Sequence, residues 1–151
     1  MLKGIDISSH QGDIAISPLG VDFVICKATE GLGYVNPWCD TKIQETISLG
    51  LEFGFYHFGQ ENDPVAEANC FMENCEGYFG YGVPVVDWER GQSVEWVNTF
   101  VRQVHDVKGI WPLIYANPRY FNLGGVEANC GRWIAQYPAH LVHPDLNAEP
   151  G

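Results

Sequence analysis

The chain has 151 residues, 46% of them apolar, and a formal net charge of −11 at pH 7. That length and composition fit one folded globular domain over residues 1–151, not a disordered segment. So much negative charge, with no basic run to offset it locally, argues against nucleic acid and anionic membrane surfaces as partners. The five cysteines (Cys26, Cys39, Cys70, Cys75 and Cys130) are odd in number and contain no C-x-x-C pair. They read as reduced, mostly buried thiols suited to a reducing compartment. No apolar run reaches signal-peptide or transmembrane length, which points to synthesis in the cytoplasm without a leader.

Short apolar runs recur along the chain. "GIDIS" (4–8) and "FVICKAT" (23–29) predict the first two strands. "NPWCDTKIQETISLG" predicts a helix with Asn36 as N-cap and Pro37 at its first position. Cys39, Ile43 and Ile47 share its face, and Gly50 closes it. "EFGFYHF" (52–58) is the third strand. "NDPVAEANCFMENCEGY" predicts a helix capped by Asp63, with Pro64 next and Glu67 in the first turn. "PVVDWE" (84–89) is the fourth strand. "SVEWVNTFVRQVHDVKG" places Val94, Val97, Phe100, Val101 and Val104 on one stripe, ending at Lys108 and Gly109. "WPLIYAN" (111–117) is the fifth strand, "PRYFNLGG" a weaker helix, and "RWIAQY" (132–137) the sixth strand. The proline-rich tail reads as loop.

Strand and helix alternate, so the sheet is expected to be parallel with right-handed crossovers. Two architectures satisfy this: an open doubly wound sheet, or a relative of the (β/α)₈ barrel. The first βα turn, "DISSHQGDI", has no glycine-rich phosphate pattern, which disfavours nucleotide binding.

In parallel barrels chemistry gathers at the carboxyl ends of the strands. Here those ends carry Asp6, Lys27 with Glu30, Tyr56 with His57 and Phe58, Asp87 with Glu89, Tyr115 with Asn117, and Gln136 with Tyr137. Asp87 and Glu89 are two apart, so strand alternation aims both at one face and Trp88 at the other. Two carboxylates sharing a cavity repel, and the more buried one holds its proton to higher pH. One acid beside one ionised group is what glycoside hydrolysis uses. The structural alternative is a solvated strand end or a capping pair.

Asp6 reads equally well as a cap for the next element, Lys27 as an ion-pair partner, and His57 as a satisfied core histidine rather than a base. No serine or cysteine is arranged for a triad, and no ligand set suggests a metal. Tyr34, Tyr56, Phe58, Trp88, Tyr115, Trp133 and Tyr137 are candidate platforms for sugar rings, with core packing the alternative for many of them.

Six stretches, "KGIDISSHQGDI", "FVICKATEGLGYVNP", "GFYHF", "VPVVDWE", "WPLIYAN" and "RWIAQY", together resemble glycoside hydrolase family 25, the N-acetylmuramidase lysozymes of bacteria, fungi and phages. The resemblance implies a TIM-like, flattened (β/α)₅β₃ barrel, lacking its C-terminal strands in this chain. It implies hydrolysis of the β-1,4 bond between N-acetylmuramic acid and N-acetylglucosamine in peptidoglycan, without metal or cofactor. By motif match Glu89 is the general acid, Asp87 the assisting carboxylate and Asp6 a third acidic site residue. Tyr56, Lys27, Tyr115, Trp133 and Tyr137 line the sugar groove. A saccharide-binding remnant of the same fold is the alternative. A separate wall-binding module or second chain would complement so acidic a domain, and the missing leader fits phage lysins released through a holin.

Overall fold

A computed structural model describes residues 4–7, as backbone, and residues 22–135 in full. The strands are β1 (Gly4–Ile7), β2 (Phe23–Glu30), β3 (Tyr34–Val35), β4 (Glu52–Phe58), β5 (Val83–Trp88), β6 (Leu113–Ala116) and β7 (Arg132–Ile134). The helices are α1 (Cys39–Ser48), α2 (Pro64–Asn74), α3 (Val94–Lys108) and the single turn α4 (Pro118–Phe121). The six longer pieces form one sheet in the order β1-β2-β4-β5-β6-β7, every neighbouring pair parallel. β3 folds back antiparallel on the end of β2, pairing Thr29 with Val35 and Glu30 with Tyr34. The fold is thus α/β with a mostly parallel, barrel-like sheet. Among the described residues that sheet is not closed.

Each strand divides its side chains between two faces. Val24, Cys26, Phe55, Val86, Trp88, Ile114 and Ala116 pack with the helices around Phe71 and Phe100. On the opposite face Ile25, Tyr56, Val85 and Tyr115 form a smaller cluster with Phe58 and Trp133, to which no described helix contributes. That helix-free face is the inside of the curved sheet. Trp88 faces the helices, fully buried against Tyr120 and Phe121. This corrects its candidacy as a sugar platform and follows directly from alternation around Val85 and Asp87.

Helix ends follow local chemistry. Asp63 caps α2 by accepting the Ala66 N–H at 2.9 Å, with Pro64 at the first position. Ser93 caps α3, and Gly109 ends it in the left-handed region at φ 72°. Asn117 caps α4.

α1 departs from expectation. It begins at Cys39, and Asn36 is buried two residues before the Trp38 cap position. The Asn36 side chain serves two places: its Oδ1 accepts the Trp38 N–H at 3.1 Å at the entry to the helix, its Nδ2 donates to the Lys27 carbonyl at 2.8 Å, and its backbone N–H reaches the Ala28 carbonyl at 2.8 Å. Those two carbonyls sit at a β-bulge. Lys27 pairs with Tyr56 and Thr29 with His57, which leaves Ala28 as an extra residue. Ile47, expected on the buried face of α1, is 47% exposed. Lys42 and Thr46 line that face instead, beside Cys39 and Ile43.

All five cysteines stand outside disulfides, and all but the half-buried Cys70 are buried. Burial pushes the Cys39 and Cys130 thiols up to about 12. They behave as small apolar groups.

Candidate active site at the carboxyl ends of the strands

The register of the sheet sets out the helix-free face in tiers. Lys27, Tyr56 and Val85 are successive partners across β2, β4 and β5. One step further along, Glu30, Phe58, Asp87, Tyr115 and Trp133 form the tier at the carboxyl ends. Asp87 therefore lies beside Tyr115, on the face that also carries Tyr56. Asp87, Tyr56 and Tyr115 are each 5–6% exposed. Trp133 meets Tyr115 edge-on at 4.7 Å between ring centres.

Glu89 lies one residue past the end of β5 and is exposed. The buried carboxylate of the pair is thus Asp87, and the solvent-facing one Glu89. Asp6 pairs with Ile25 in the sheet, while its side chain and the whole of Tyr137 lie outside the described residues.

Lys27 and Glu30 are three apart, a spacing that aims at opposite faces of a regular strand. The bulge at Ala28 restores them to one face. Their ion pair is 2.6 Å long. The Lys27 ammonium also lies 5.2 Å from the Tyr34 ring centre and 5.1 Å from that of Phe58. Glu30 accepts a second bond, from Gln60 Nε2 at 2.6 Å. Burial pushes the Glu30 carboxyl up, but the bonds from Lys27 and Gln60 and the charges of Lys27 and Arg90 outweigh it. The net result lies below the ordinary carboxylate value. Lys27 is thus an ion-pair partner, packed between two rings at the site's edge.

His57 belongs to the other face. Its ring stacks on Phe100, and its nitrogens meet Thr29 Oγ1 and Glu67 Oε1, each at 2.7 Å. Glu67 also accepts the backbone N–H groups of Gln60 and Asn62 and the Asn62 amide. A carboxylate accepting that many donors is ionised, so His57 Nε2 donates to it and Nδ1 accepts from Thr29. Burial holds His57 below its ordinary value, with Glu67 opposing. His57 is a core histidine that braces the loop after β4.

Two glutamines stand out here that the strand-end reading did not include. Gln60 and Gln92 link the loops after β4 and β5, and no short motif marks either. Their only sequence signal is position, each shortly after a strand and before a helix cap. Among the described residues no three His, Cys, Asp or Glu side chains could hold a metal ion. No described helix is long and apolar enough to cross a membrane.

Comparison with known proteins fits this arrangement. Residues 5–148 match the model for glycosyl hydrolases family 25. The chain is 34% identical, over 97% of its length, to the "Autolytic lysozyme" of Clostridium acetobutylicum, and covers 48% of that protein. It is 31% identical, over 99% of its length, to the "N,O-diacetylmuramidase" of Chalaropsis sp, covering 81% of it. So the chain spans about half the length of the first relative and most of the second. Muramidase from Acremonium alcalophilum superimposes with a TM-score of 0.81 at 26% identity, over 95% of this chain and 81% of that one. A family 25 lysozyme from Aspergillus fumigatus gives 0.79 at 26% identity, over 91% and 78%. By the match along nearly its whole length, and by the fold it shares with these enzymes, the chain belongs to glycosyl hydrolases family 25.

Proposed function

We propose that this domain is a muramidase that hydrolyses the β-1,4 bond between N-acetylmuramic acid and N-acetylglucosamine in bacterial cell-wall peptidoglycan. The observation that carries the reading is the tier holding buried Asp87 beside Tyr115, with Glu89 exposed immediately beyond it. Family membership and the relatives named lysozyme and muramidase support it.

Glu89, by its place in the family's D-x-E motif, is the general acid that protonates the leaving oxygen. Asp87, fixed on the strand, orients the substrate's N-acetyl group or stabilises the cationic character that develops at the anomeric carbon. Asp6, on β1 with β2 and β4 between it and β5, is the third acidic residue of the site by its match to the family motif. Tyr56, Tyr115, Trp133 and Tyr137 line the sugar groove, and Lys27 shapes it through Glu30 and Tyr34. The whole lytic protein places this domain on the wall through a separate binding module or a second chain.

Clearing of a cell-wall suspension tests the assignment. Wild-type protein lowers the turbidity, and Glu89→Gln, which cannot give up a proton, lowers the rate by at least about 10²-fold, the scale of one positioned acid. Equal clearing by the variant removes Glu89 from the mechanism. Binding of muropeptides without release of reducing ends indicates a saccharide-binding module instead.

A further inference from the structure

Glu89 stands past the last strand residue, so the sheet's hydrogen-bond ladder does not fix it. The residues flanking it are held by Gln92, which is 5% exposed and lies just before the Ser93 cap of α3. Gln92 Oε1 accepts the Arg90 backbone N–H at 3.0 Å. Its main-chain carbonyl accepts the Trp88 indole N–H at 2.8 Å. The residues on both sides of Glu89 are therefore tied to Gln92. Gln92 Nε2 in turn donates to the Gln60 carbonyl at 2.9 Å, anchoring the assembly to the loop after β4. Gly91 makes the turn at φ 83°, and its N–H reaches the Tyr120 hydroxyl at 3.0 Å. Gly59 leaves room for the clamp, since a Cβ there would stand 3.0 Å from Gln92 Nε2 and 3.2 Å from the Asp87 carbonyl.

We infer that Gln92 is a positioning residue that holds Glu89 at the angle its acid role requires. The inference rests on the proposed role of Glu89. A neutral amide suits the place because one edge must accept and the other donate. An acid must lie within hydrogen-bond reach of the oxygen it protonates. Displacing such a group by about 1 Å can cost on the order of 10²-fold in rate. Loosening the clamp should therefore act on the chemical step more than on binding.

The test measures release of reducing ends from solubilised peptidoglycan fragments, with thermal melting alongside, for wild type, Gln92→Leu, Gln92→Glu and Asn98→Ala. Asn98 is a comparably buried amide remote from Glu89, bonded to the Gly125 carbonyl and the Glu127 N–H. Gln92→Leu should fold, lose about tenfold or more in kcat and keep KM within about threefold. Asn98→Ala should melt lower with kcat unchanged. In Gln92→Glu the ionised carboxylate cannot donate to the Gln60 carbonyl, whereas the protonated acid can. The ratio of its kcat to that of wild type should rise as pH falls into the carboxyl range.

A Gln92→Leu kcat within about twofold of wild type, a loss confined to KM, or an equal fall in Asn98→Ala overturns the inference. Should Gln92→Leu not fold, a pH-independent ratio for Gln92→Glu overturns it instead. Wild-type protein that releases no reducing ends overturns the muramidase reading itself, and the inference with it. That failure shows without any Gln92 variant, so the two are told apart.

Discussion

A buried histidine against a buried carboxylate is stable only while the carboxylate is ionised and the imidazole stays neutral. Both groups are fully buried here, 2.7 Å apart. Burial pushes Glu67 up, but the bonds from His57 and from the Gln60 and Asn62 backbone outweigh it, leaving Glu67 below its ordinary 4.5. Burial likewise leaves His57 below its ordinary 6.5. Both folded-state values are depressed, so the unfolded chain binds more protons as pH falls. The contribution is fully present above about 6.5 and is lost progressively in acid as the folded-state values are reached. Denaturant midpoints should be level above that pH and fall steadily below it. Glu67→Gln should be less stable at neutral pH and show a shallower acid slope. At this scale the sequence announced which residues were polar at strand ends, but not their partners. Asn36 has the look of a helix cap, and its use at the bulge depends on carbonyls that only the fold brings near. Removing its side chain leaves the Lys27 carbonyl buried without that donor. Asn36→Ala should therefore cost about 1–3 kcal/mol in chemical unfolding.

Among the elements, α2 is the support behind the site, because its Glu67 braces the loop that carries Gln60. Its cap is separable from that role. Asp63 is exposed and accepts a single backbone N–H, so Asp63→Ala should lower stability by about 1 kcal/mol and leave the rate of wall clearing unchanged. The helix's buried face is costlier to disturb. Phe71 is fully buried among Phe55, Phe79 and Phe100, and Phe71→Ala should cost about 3–5 kcal/mol by equilibrium unfolding. The strands and α3 were legible because their apolar spacing is an intrinsic property of the segment. The bulge in β2 was not, since it is defined by the neighbouring strand. Nor was the burial of Lys42, whose long side chain is 2% exposed on α1 and reaches Glu45 at 3.2 Å. The D-x-E spacing marked the acids, yet β5 ends between them, so strand alternation reaches Asp87 and Trp88 but not Glu89.

Taken whole, the molecule meets its proposed substrate against a like charge. With −11 on the domain, retention on anionic cell walls should be weak at low ionic strength. It should rise toward about 0.15 M salt, where screening acts within about 8 Å. Co-sedimentation with purified walls across a salt series checks this, and affinity that falls with salt would contradict it. A parallel α/β sheet was legible from the βα rhythm alone and its barrel type only from the family resemblance, whereas the number of strands was not legible, because β3 is a two-residue return rather than a run. The order of strands across the sheet has a consequence for how the protein is made. Apart from that short return, spatial order among the described strands repeats chain order, so none of them has to slot between two already paired. As the chain leaves the ribosome at roughly 5–20 residues per second, each new strand meets an edge already in place. Assembly can advance from the amino end in step with translation, and the Asp87–Glu89 segment is delivered onto β4 and its loop, the surface that holds it.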